Sequence, residues 1–227
     1  MTNLYIDLET LPANNQWLID ELNETTVNKK LSKPESIAEW ERDKKPAAVE
    51  EARIKTAVDT SLANILCLGY AIDDNETEVL TGGEIDILRD FFSIYEGLKF
   101  PMLIGHNIVG FDLPLIYHRA VIHGIKVPGR FPKPSDKPSD VNANDTMQMW
   151  SGIRDRIKLD RLAKLLGVGS KGGISGADVY PMYKEGRVQE IYDYCKSDVS
   201  LTREVYQRIF KAAAYDDCVR QLERKRK

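Results

Sequence analysis

The alternation of apolar and polar residues predicts strands near the start and in the middle of the chain. Residues 3–9 alternate with a period of two, which is typical of a strand. The run 62–72 is apolar and rich in β-forming residues, and 77–83 reads as its partner across an Asp-Asn turn. The apolar stretch 102–107, "MLIGHN", predicts a further strand that is short and buried.

Apolar residues spaced three to four apart predict helices over 84–96, over Leu113–His123, near Leu159–Leu166 and along the C-terminal segment. Residues 14–61 are rich in Lys and Glu and contain two prolines, so this segment predicts two or three short helices inserted after the first strand. A short element near 144–150, a proline-rich loop at 129–140 and a glycine-rich loop at 167–173 complete the pattern. Strands followed by strand–helix alternation indicate an α/β fold with a mixed sheet, and 227 residues suit one domain.

Composition narrows the classes of function. A net charge of −3 argues against a high-affinity duplex binder, but not against an enzyme that grips a few nucleotides at a strand end. Basic clusters, including the tail 224–227, read first as solvated helix faces. No apolar run could span a bilayer and no signal peptide is apparent, so we expect no membrane contact. Three scattered cysteines fit neither a disulfide framework nor a zinc site, which predicts a reducing, cytoplasmic location.

Asp7 and Glu9 form the first candidate for chemistry. They are two residues apart, so both side chains face the same side of the predicted first strand. Polar residues at this spacing also occur on any strand with one solvated face. Two neighbouring carboxylates repel each other, however, and a cation between them would relieve the repulsion. The pair lies at the end of a strand, where ligands bind in open α/β sheets.

Asp112 in "HNIVGFD" is the second candidate. An aspartate just before Leu113–Pro114 is also a normal helix N-cap, and this reading stays open. Asn107 leaves the preceding strand, where its amide could either tie the loop or contact a substrate.

Asp198 supplies the sharpest local argument. A stripe of residues spaced three to four apart should face inward on the C-terminal helix: Ile191, Tyr194, Cys195, Asp198, Thr202, Val205, Tyr206 and Ile209. A buried carboxylate needs a partner, which would be a divalent metal ion or, alternatively, a buried Arg or Lys. Tyr194 lies one turn before Asp198 and would place its phenol near the same partner.

Other polar residues carry weaker signals. Asp145 is a fifth candidate acid, which we interpret as a structural or supporting group. The string "GVGSKG" matches a dinucleotide-binding pattern but follows a helix rather than a strand, so it reads as a helix end and loop. A phosphate contact from Ser170 or Lys171 in that loop is a minor alternative. The three histidines lack acidic or cysteine partners at ligand spacing, and we treat them as non-catalytic.

Together, D-x-E-T at Asp7, N-x-x-x-F-D at Asn107 and Y-x-x-x-D at Tyr194 resemble the three exonuclease motifs of the DEDD (DnaQ-like) superfamily. The tyrosine is similar to that of the DEDDy branch, which includes polymerase proofreading domains and the ribonuclease D group. The resemblance covers 1–12 and about 62–210, and it is greatest to the exonuclease domain of family B DNA polymerases. It implies a ribonuclease H-like fold, a mixed sheet flanked by helices, with the helical insertion at about 14–61. Small enzymes of this kind occur in phages and bacteria.

The resemblance also implies a site with two divalent cations, Mg²⁺ or Mn²⁺. Asp7 would bridge the two ions, Glu9 and Asp198 would complete the first ion's site, and Asp112 would hold the second through water. Such a pair of ions stabilises the attacking and leaving oxygens of a displacement at phosphorus. Tyr194, with Glu9, would orient the attacking water, because a phenol with a pKa near 10 is a poor base at neutral pH.

The implied activity is 3′-5′ exonuclease cleavage of DNA, single-stranded by expectation, with release of nucleoside 5′-monophosphates. Implied substrate contacts are Thr10, Leu11, Asn107 and Phe111. Three alternatives stay open: a 3′-5′ exoribonuclease, a catalytically silent nucleic-acid-binding or docking module, and a metal-stabilised structural domain. The insertion, with Trp17 and Trp40, could be a lid over single-stranded substrate, a plain helical embellishment, or a docking surface for a polymerase or other replication partner.

Overall fold

A five-stranded mixed sheet with the strand order β3-β2-β1-β4-β5 forms the centre of this computed structural model. The strands are β1 (Asn3–Leu11), β2 (Asn64–Ile72), β3 (Glu78–Leu80), β4 (Met102–Gly105) and β5 (Ala143–Asp145). The structure describes residues 2–137 and 141–224, with side chains as far as Ala212. The end of the predicted proline-rich loop and the basic tail therefore lie outside the described residues.

Strand β1 is central and determines the mixed character of the sheet. It pairs antiparallel with β2 and parallel with β4, and β4 continues parallel to β5. Strand β2 returns as the short antiparallel β3 across the predicted turn. The predicted α/β fold with a mixed sheet is thus confirmed.

Nine helices are described: α1 (Gln16–Thr25), α2 (Pro34–Asp43), α3 (Lys45–Lys55), α4 (Glu84–Gly97), α5 (Asp112–Ile122), α6 (Thr146–Ser151), α7 (Leu159–Leu166), α8 (Gly176–Lys184) and α9 (Val188–Arg224). The patterns predicted these helices except α6, for which they gave only a short element near 144–150, and α8, whose short apolar face is hidden by the preceding glycines and by Pro181. Its one usable signal was the capping box between Ser175 and Asp178. None of the described helices has both the length and the apolar character needed to cross a membrane.

The segment 14–61 forms α1, α2, α3 and a 3₁₀ turn at Thr56–Val58. Its last part is tied to the end of β1, because Thr10 Oγ1 donates a hydrogen bond to the Ala57 carbonyl at 2.7 Å. The Ala13 amide donates to Thr56 Oγ1 at 2.8 Å. The end of the insertion therefore has a fixed position relative to the first strand.

Helices cover both faces of the sheet. Helices α4 and α5 pack on one face through a large apolar cluster that includes Phe91 and Ile116. Helix α9 packs on the other face, where Val199 and Tyr206 contact Tyr5 of β1. Burial of apolar area on both faces is the main stabilising contribution to such a layered fold.

Helix α9 approaches the sheet most closely at Gly69, which pairs with Asp7 across β1 and β2. A Cβ atom at Gly69 would lie 2.9 Å from both Cys195 Sγ and Val199 Cγ2. A side chain there would therefore push α9 away from the two strands. Because Gly69 has no side chain, α9 can lie close enough to the sheet to place its polar residues beside β1.

Replacing Gly69 with alanine should lower the free energy of unfolding by about 1–3 kcal/mol, the usual cost of overpacking. Gly97→Ala is the matched control, since a Cβ atom there meets nothing within 4 Å. The control should be unchanged or slightly more stable. Urea denaturation of both variants measures the difference, and equal stabilities would show that the contact at Gly69 is not tight.

Candidate active site

The end of β1 and the middle of α9 bring acidic side chains together. A carboxylate oxygen of Asp7, one of Glu9 and the Cys195 Sγ atom all lie within 4.8 Å of one another. Asp7 is half-buried, whereas Glu9 and Cys195 are buried. The period of two on β1 places both acids on the face that α9 covers, as the sequence predicted.

Asp198 joins this cluster from α9 and is only 3% exposed. Its Oδ2 atom is in contact with Lys171 Nζ. Its Oδ1 atom is buried and has no hydrogen-bond partner among the described residues. The structure thus contains the buried Lys pair that was one of two predicted partners of Asp198, and it leaves one carboxylate oxygen with no partner.

Asp112 is the first residue of α5 and is 5% exposed. The N-cap position belongs to Phe111, so the interpretation of Asp112 as the helix cap is wrong. Burial raises the pKa of Asp112 to about 8, and the charge of Asp145 adds to this shift. The backbone amides of Asp112 itself and of Leu8 act in the opposite direction.

The carboxylates act on one another electrostatically. Burial raises the pKa of Asp7 well above its usual range, and the charges of Asp198 and Asp112 raise it further. Burial also raises the pKa of Glu9, with Asp7 as its strongest charged neighbour. In both cases Lys171 is the group whose charge opposes the shift. A single lysine thus lies close to several buried carboxylates.

This donor set fits divalent cations. Carboxylate oxygens are the preferred ligands of Mg²⁺ and Mn²⁺. The free Oδ1 atom of Asp198 and the uncompensated charge of Asp7 and Glu9 are the features that a cation would satisfy. Cys195 fits less well, because a hydrogen bond to Cys67 and burial raise the pKa of its thiol. A neutral thiol is not a metal ligand.

Tyr194 lies beside Asp198 and is 7% exposed. Its hydroxyl accepts a hydrogen bond from Lys171 Nζ at 2.8 Å, and the same Nζ atom lies 4.9 Å from the ring centroid. Burial and the charge of Asp198 raise the pKa of the phenol far above neutrality. The raised pKa favours the protonated phenol, which can orient a neighbouring group by hydrogen bonding.

Lys171 is the site residue that the sequence signalled least. It lies in the glycine-rich loop between α7 and α8, 27 residues before Asp198 in the chain. No helical or strand period relates Lys171 to the acids. The sequence therefore suggested no more than a phosphate contact from this loop, as a minor alternative. Its backbone amide donates to Asp160 Oδ1 at 2.9 Å, which fixes the loop in front of the acids.

The four predicted substrate residues have different surroundings. Thr10 uses its hydroxyl to hold the insertion, and Leu11 packs in the apolar cluster that contains Tyr194. Asn107 has a left-handed backbone with φ of 65°, and Phe111 is half-buried beside it. Their contacts with a substrate stay a prediction.

Asp145 has the structural role that was predicted. It is the N-cap of α6, where its side chain accepts hydrogen bonds from the Met147 and Gln148 amides. It also accepts from the amides of Asn107 and Val109, at 2.9 and 3.2 Å. These bonds hold the turn between β4 and Asp112.

The three histidines have structural partners. His106 bonds with Thr146 Oγ1 at 2.9 Å and with the Ile157 carbonyl at 2.8 Å. His118 bonds with the Thr60 carbonyl, and His123 with Glu84. None of these bonds involves one of the clustered acids.

A cavity of about 580 Å³ opens onto Asp7, and we call it the active-site cavity. Its wall also contains His106, Lys158, Asp160, Lys164 and Lys171. Lys164 pairs with Asp160 and Lys171 pairs with Asp198. Three lysines against two acids in the wall suit a ligand that carries negative charge.

Known proteins resemble this chain in sequence and in fold. A family model described as a predicted 3′-5′ exonuclease related to the exonuclease domain of PolB matches residues 54–222. Among solved structures, the family B DNA polymerase of the hyperthermophilic archaeon Pyrobaculum calidifontis superposes with a TM-score of 0.60 and 18% identity. The likeness covers 92% of this chain and 24% of that chain, and it confirms the predicted ribonuclease H-like fold.

Two curated proteins also match parts of the chain. The DNA polymerase catalytic subunit of Saimiriine herpesvirus 2 is 38% identical over 73 residues, which are 31% of this chain and 7% of that protein. The DNA polymerase of Archaeoglobus fulgidus is 24% identical over 146 residues, which are 59% of this chain and 18% of that protein. The chain thus spans only a small part of the curated polymerases that it matches.

In metal-free protein, the acid cluster should make stability fall as pH rises. Folded Asp112 has a pKa of about 8, whereas an unfolded aspartate has a pKa of about 3.9. Between these two pKa values the folded state binds a proton at Asp112 that the unfolded state does not bind. The stability that this proton contributes is lost as pH rises through the folded pKa. Asp112→Asn removes this titration. In EDTA it should lose less stability than wild type, by a few kcal/mol, between about pH 5 and about pH 8.5.

Urea denaturation across this pH range measures the effect, with Asp90→Asn on the exposed face of α4 as the control. The control should follow the wild-type curve. Identical pH dependence in Asp112→Asn and wild type would contradict the raised pKa of Asp112.

Proposed function

Because this chain belongs to the family of predicted 3′-5′ exonucleases related to the exonuclease domain of PolB, we propose that it removes nucleotides from the 3′ end of DNA with the help of divalent cations. The products are nucleoside 5′-monophosphates. The observation that supports this most is the close pair of Asp7 and Glu9 with Asp198 as a charged neighbour, whose buried Oδ1 atom has no hydrogen-bond partner among the described residues. A purely structural cluster would satisfy that oxygen.

Asp7, Glu9 and Asp198 would hold one cation, and Asp7 with Asp112 would hold a second. When bound, such ions activate a water and stabilise the charge that develops around phosphorus. The protein contributes the fixed positions of the ligands. The two acids of β1 move only with the sheet, and Asp198 moves only with α9, which packs on β1 and β2.

Tyr194 and Lys171 would act on the substrate side of the acids. The protonated phenol of Tyr194 orients the attacking water by hydrogen bonding. Lys171, which in this structure contacts both Asp198 and Tyr194, becomes available for a phosphate oxygen once cations satisfy Asp198. A charge-assisted hydrogen bond of this kind is stronger than a neutral one.

We also propose that the substrate strand is unpaired at its 3′ end and that the whole chain acts as one domain with an inserted helical segment. The net charge of −3 fits an enzyme that holds a few nucleotides rather than a long duplex. The matched relatives are DNA polymerases, so DNA is the proposed substrate and a polymerase is the proposed partner.

Asp7→Ala and Asp198→Ala should each abolish nucleotide release, because each variant removes a cation ligand. The assay uses DNA and RNA oligonucleotides labelled at the 3′ or the 5′ end, with Mg²⁺ or Mn²⁺. It reports polarity, sugar preference and product size together. Asp193→Ala, an exposed acid on the same helix, should retain wild-type activity. Activity like that of wild type in either active-site variant would contradict the assignment of these residues as cation ligands.

Tyr194→Phe should lower the turnover number about tenfold to a hundredfold, because the attacking water loses its orienting hydrogen bond. The affinity for Mn²⁺ should stay the same, since the phenol is not one of the proposed ligands. Tyr192→Phe on the same helix is the control, and its turnover should not change. If Tyr194→Phe turns over as fast as wild type, Tyr194 has no part in the reaction.

A further inference from the structure

A second cavity of about 770 Å³ lies at the end of the insertion, and we call it the side cavity. One part of its wall comes from the end of the insertion, including Lys55 and Val58. Another part comes from Asn107 and Phe111 in the turn before α5, and a third from Arg156 in the loop before α7. Three separate segments of the chain therefore meet around this cavity.

The side cavity is adjacent to the active-site cavity along the chain in two places. Asn107 lines the side cavity and its neighbour His106 lines the active-site cavity. Arg156 lines the side cavity, and Lys158 two residues later lines the active-site cavity. The walls of the two cavities therefore come within one or two residues of each other along these two segments.

The insertion side of the cavity is held firmly. Thr10, the residue after Glu9, bonds to the Ala57 carbonyl between Lys55 and Val58. His118 of α5 bonds to the Thr60 carbonyl at 2.9 Å. The wall is thus anchored both to the strand that carries the acids and to the helix that begins at Asp112. It keeps a fixed distance from the catalytic residues.

The charges of the side cavity favour an anionic ligand. Arg156 is exposed and forms no ion pair among the described residues. Lys55 pairs with Glu51, but both side chains are about 70% exposed, and such exposed pairs contribute little. Among the described residues the wall also contains one acid, Asp59, whose carboxylate accepts a hydrogen bond from the Ser61 amide at 2.8 Å. Two cations against one acid leave the wall with net positive charge for phosphate groups.

Apolar side chains accompany these cations. Val58 is 76% exposed, and Phe111 is half-buried in the same wall. Bases of single-stranded DNA pack on such surfaces while the backbone tracks the cations. In a duplex the base faces are stacked on each other and cannot reach Val58. Trp17 and Trp40 do not line this cavity within the described part of the chain, so they are not its stacking residues.

We propose that the side cavity binds the single-stranded DNA segment that leads to the 3′-terminal nucleotide. Arg156 and Lys55 contact its phosphates from two separate segments, and Val58 and Phe111 contact its bases. The end of the insertion then selects unpaired over paired DNA ends. This inference rests on the proposed function, because it assigns the path of that reaction's substrate.

The test is the binding of a fluorescein-labelled DNA 12-mer, followed by fluorescence anisotropy in EDTA so that no strand is cut. Arg156→Glu and Lys55→Glu should each weaken binding about tenfold, and each should reduce the slope of log affinity against log salt by about 0.7, the share of one phosphate contact. Arg154→Glu is the matched control, because Arg154 lies in the same loop, is exposed and does not line the cavity. It should bind like wild type.

The proposal would be overturned if Arg154→Glu and Arg156→Glu weakened DNA binding equally, or if Arg156→Glu and Lys55→Glu did not weaken it. Either result would indicate that a protein partner, rather than DNA, binds this surface. Thermal unfolding of each variant checks that it is folded. Hydrolysis of the p-nitrophenyl ester of thymidine 5′-monophosphate by wild type tests the proposed function separately, since this substrate is too small to fill both cavities. Absence of hydrolysis with the expected binding pattern would reject the reaction but keep the binding site.

Discussion

The burial of several carboxylates beside one lysine is the constraint on which the rest of the structure depends. Asp7 and Glu9 lie close together with Asp198 as a charged neighbour, and burial and mutual repulsion raise the pKa values of the first two well above their usual range. Uncompensated charge in the interior is costly, and removing one member of a buried pair is more costly still. The folded protein therefore accommodates this cluster either by protonating the acids or by providing a positive partner. Lys171 supplies part of that charge, and the proposed cations would supply the remainder.

The fold holds this unfavourable arrangement in place through apolar packing. Strand β1 is central in the sheet, and its two acids pair with Gly69 and Cys67 of β2, so they cannot move apart without disturbing that pairing. Gly69 on β2 lets α9 lie directly against the sheet, and the buried stripe of α9 then carries Asp198 to the acids. The loop with Lys171 is fixed by Asp160. The free energy gained by packing the layered core thus offsets the cost of burying these carboxylates.

Periodicity made most of this architecture predictable. The alternation on β1 placed Asp7 and Glu9 on one face, and the stripe on α9 placed Asp198 and Tyr194 inward, because both patterns follow directly from backbone geometry. Lys171 was not predictable in the same way, since glycine-rich loops have no period that relates them to distant residues. Helix α8 was missed for a related reason. The role of Thr10 depends on a contact with Ala57, 47 residues away, which no local pattern encodes.

The most direct measurement of the central claim is anomalous diffraction from crystals grown with Mn²⁺. We expect manganese peaks bounded by Asp7, Glu9 and Asp198, with Lys171 displaced from the carboxylate that it contacts in this structure. The free Oδ1 atom of Asp198 should then be a ligand. Crystals that hold no manganese among these residues, with the pair of Lys171 and Asp198 intact at saturating Mn²⁺, would contradict the claim that divalent cations compensate the buried acids.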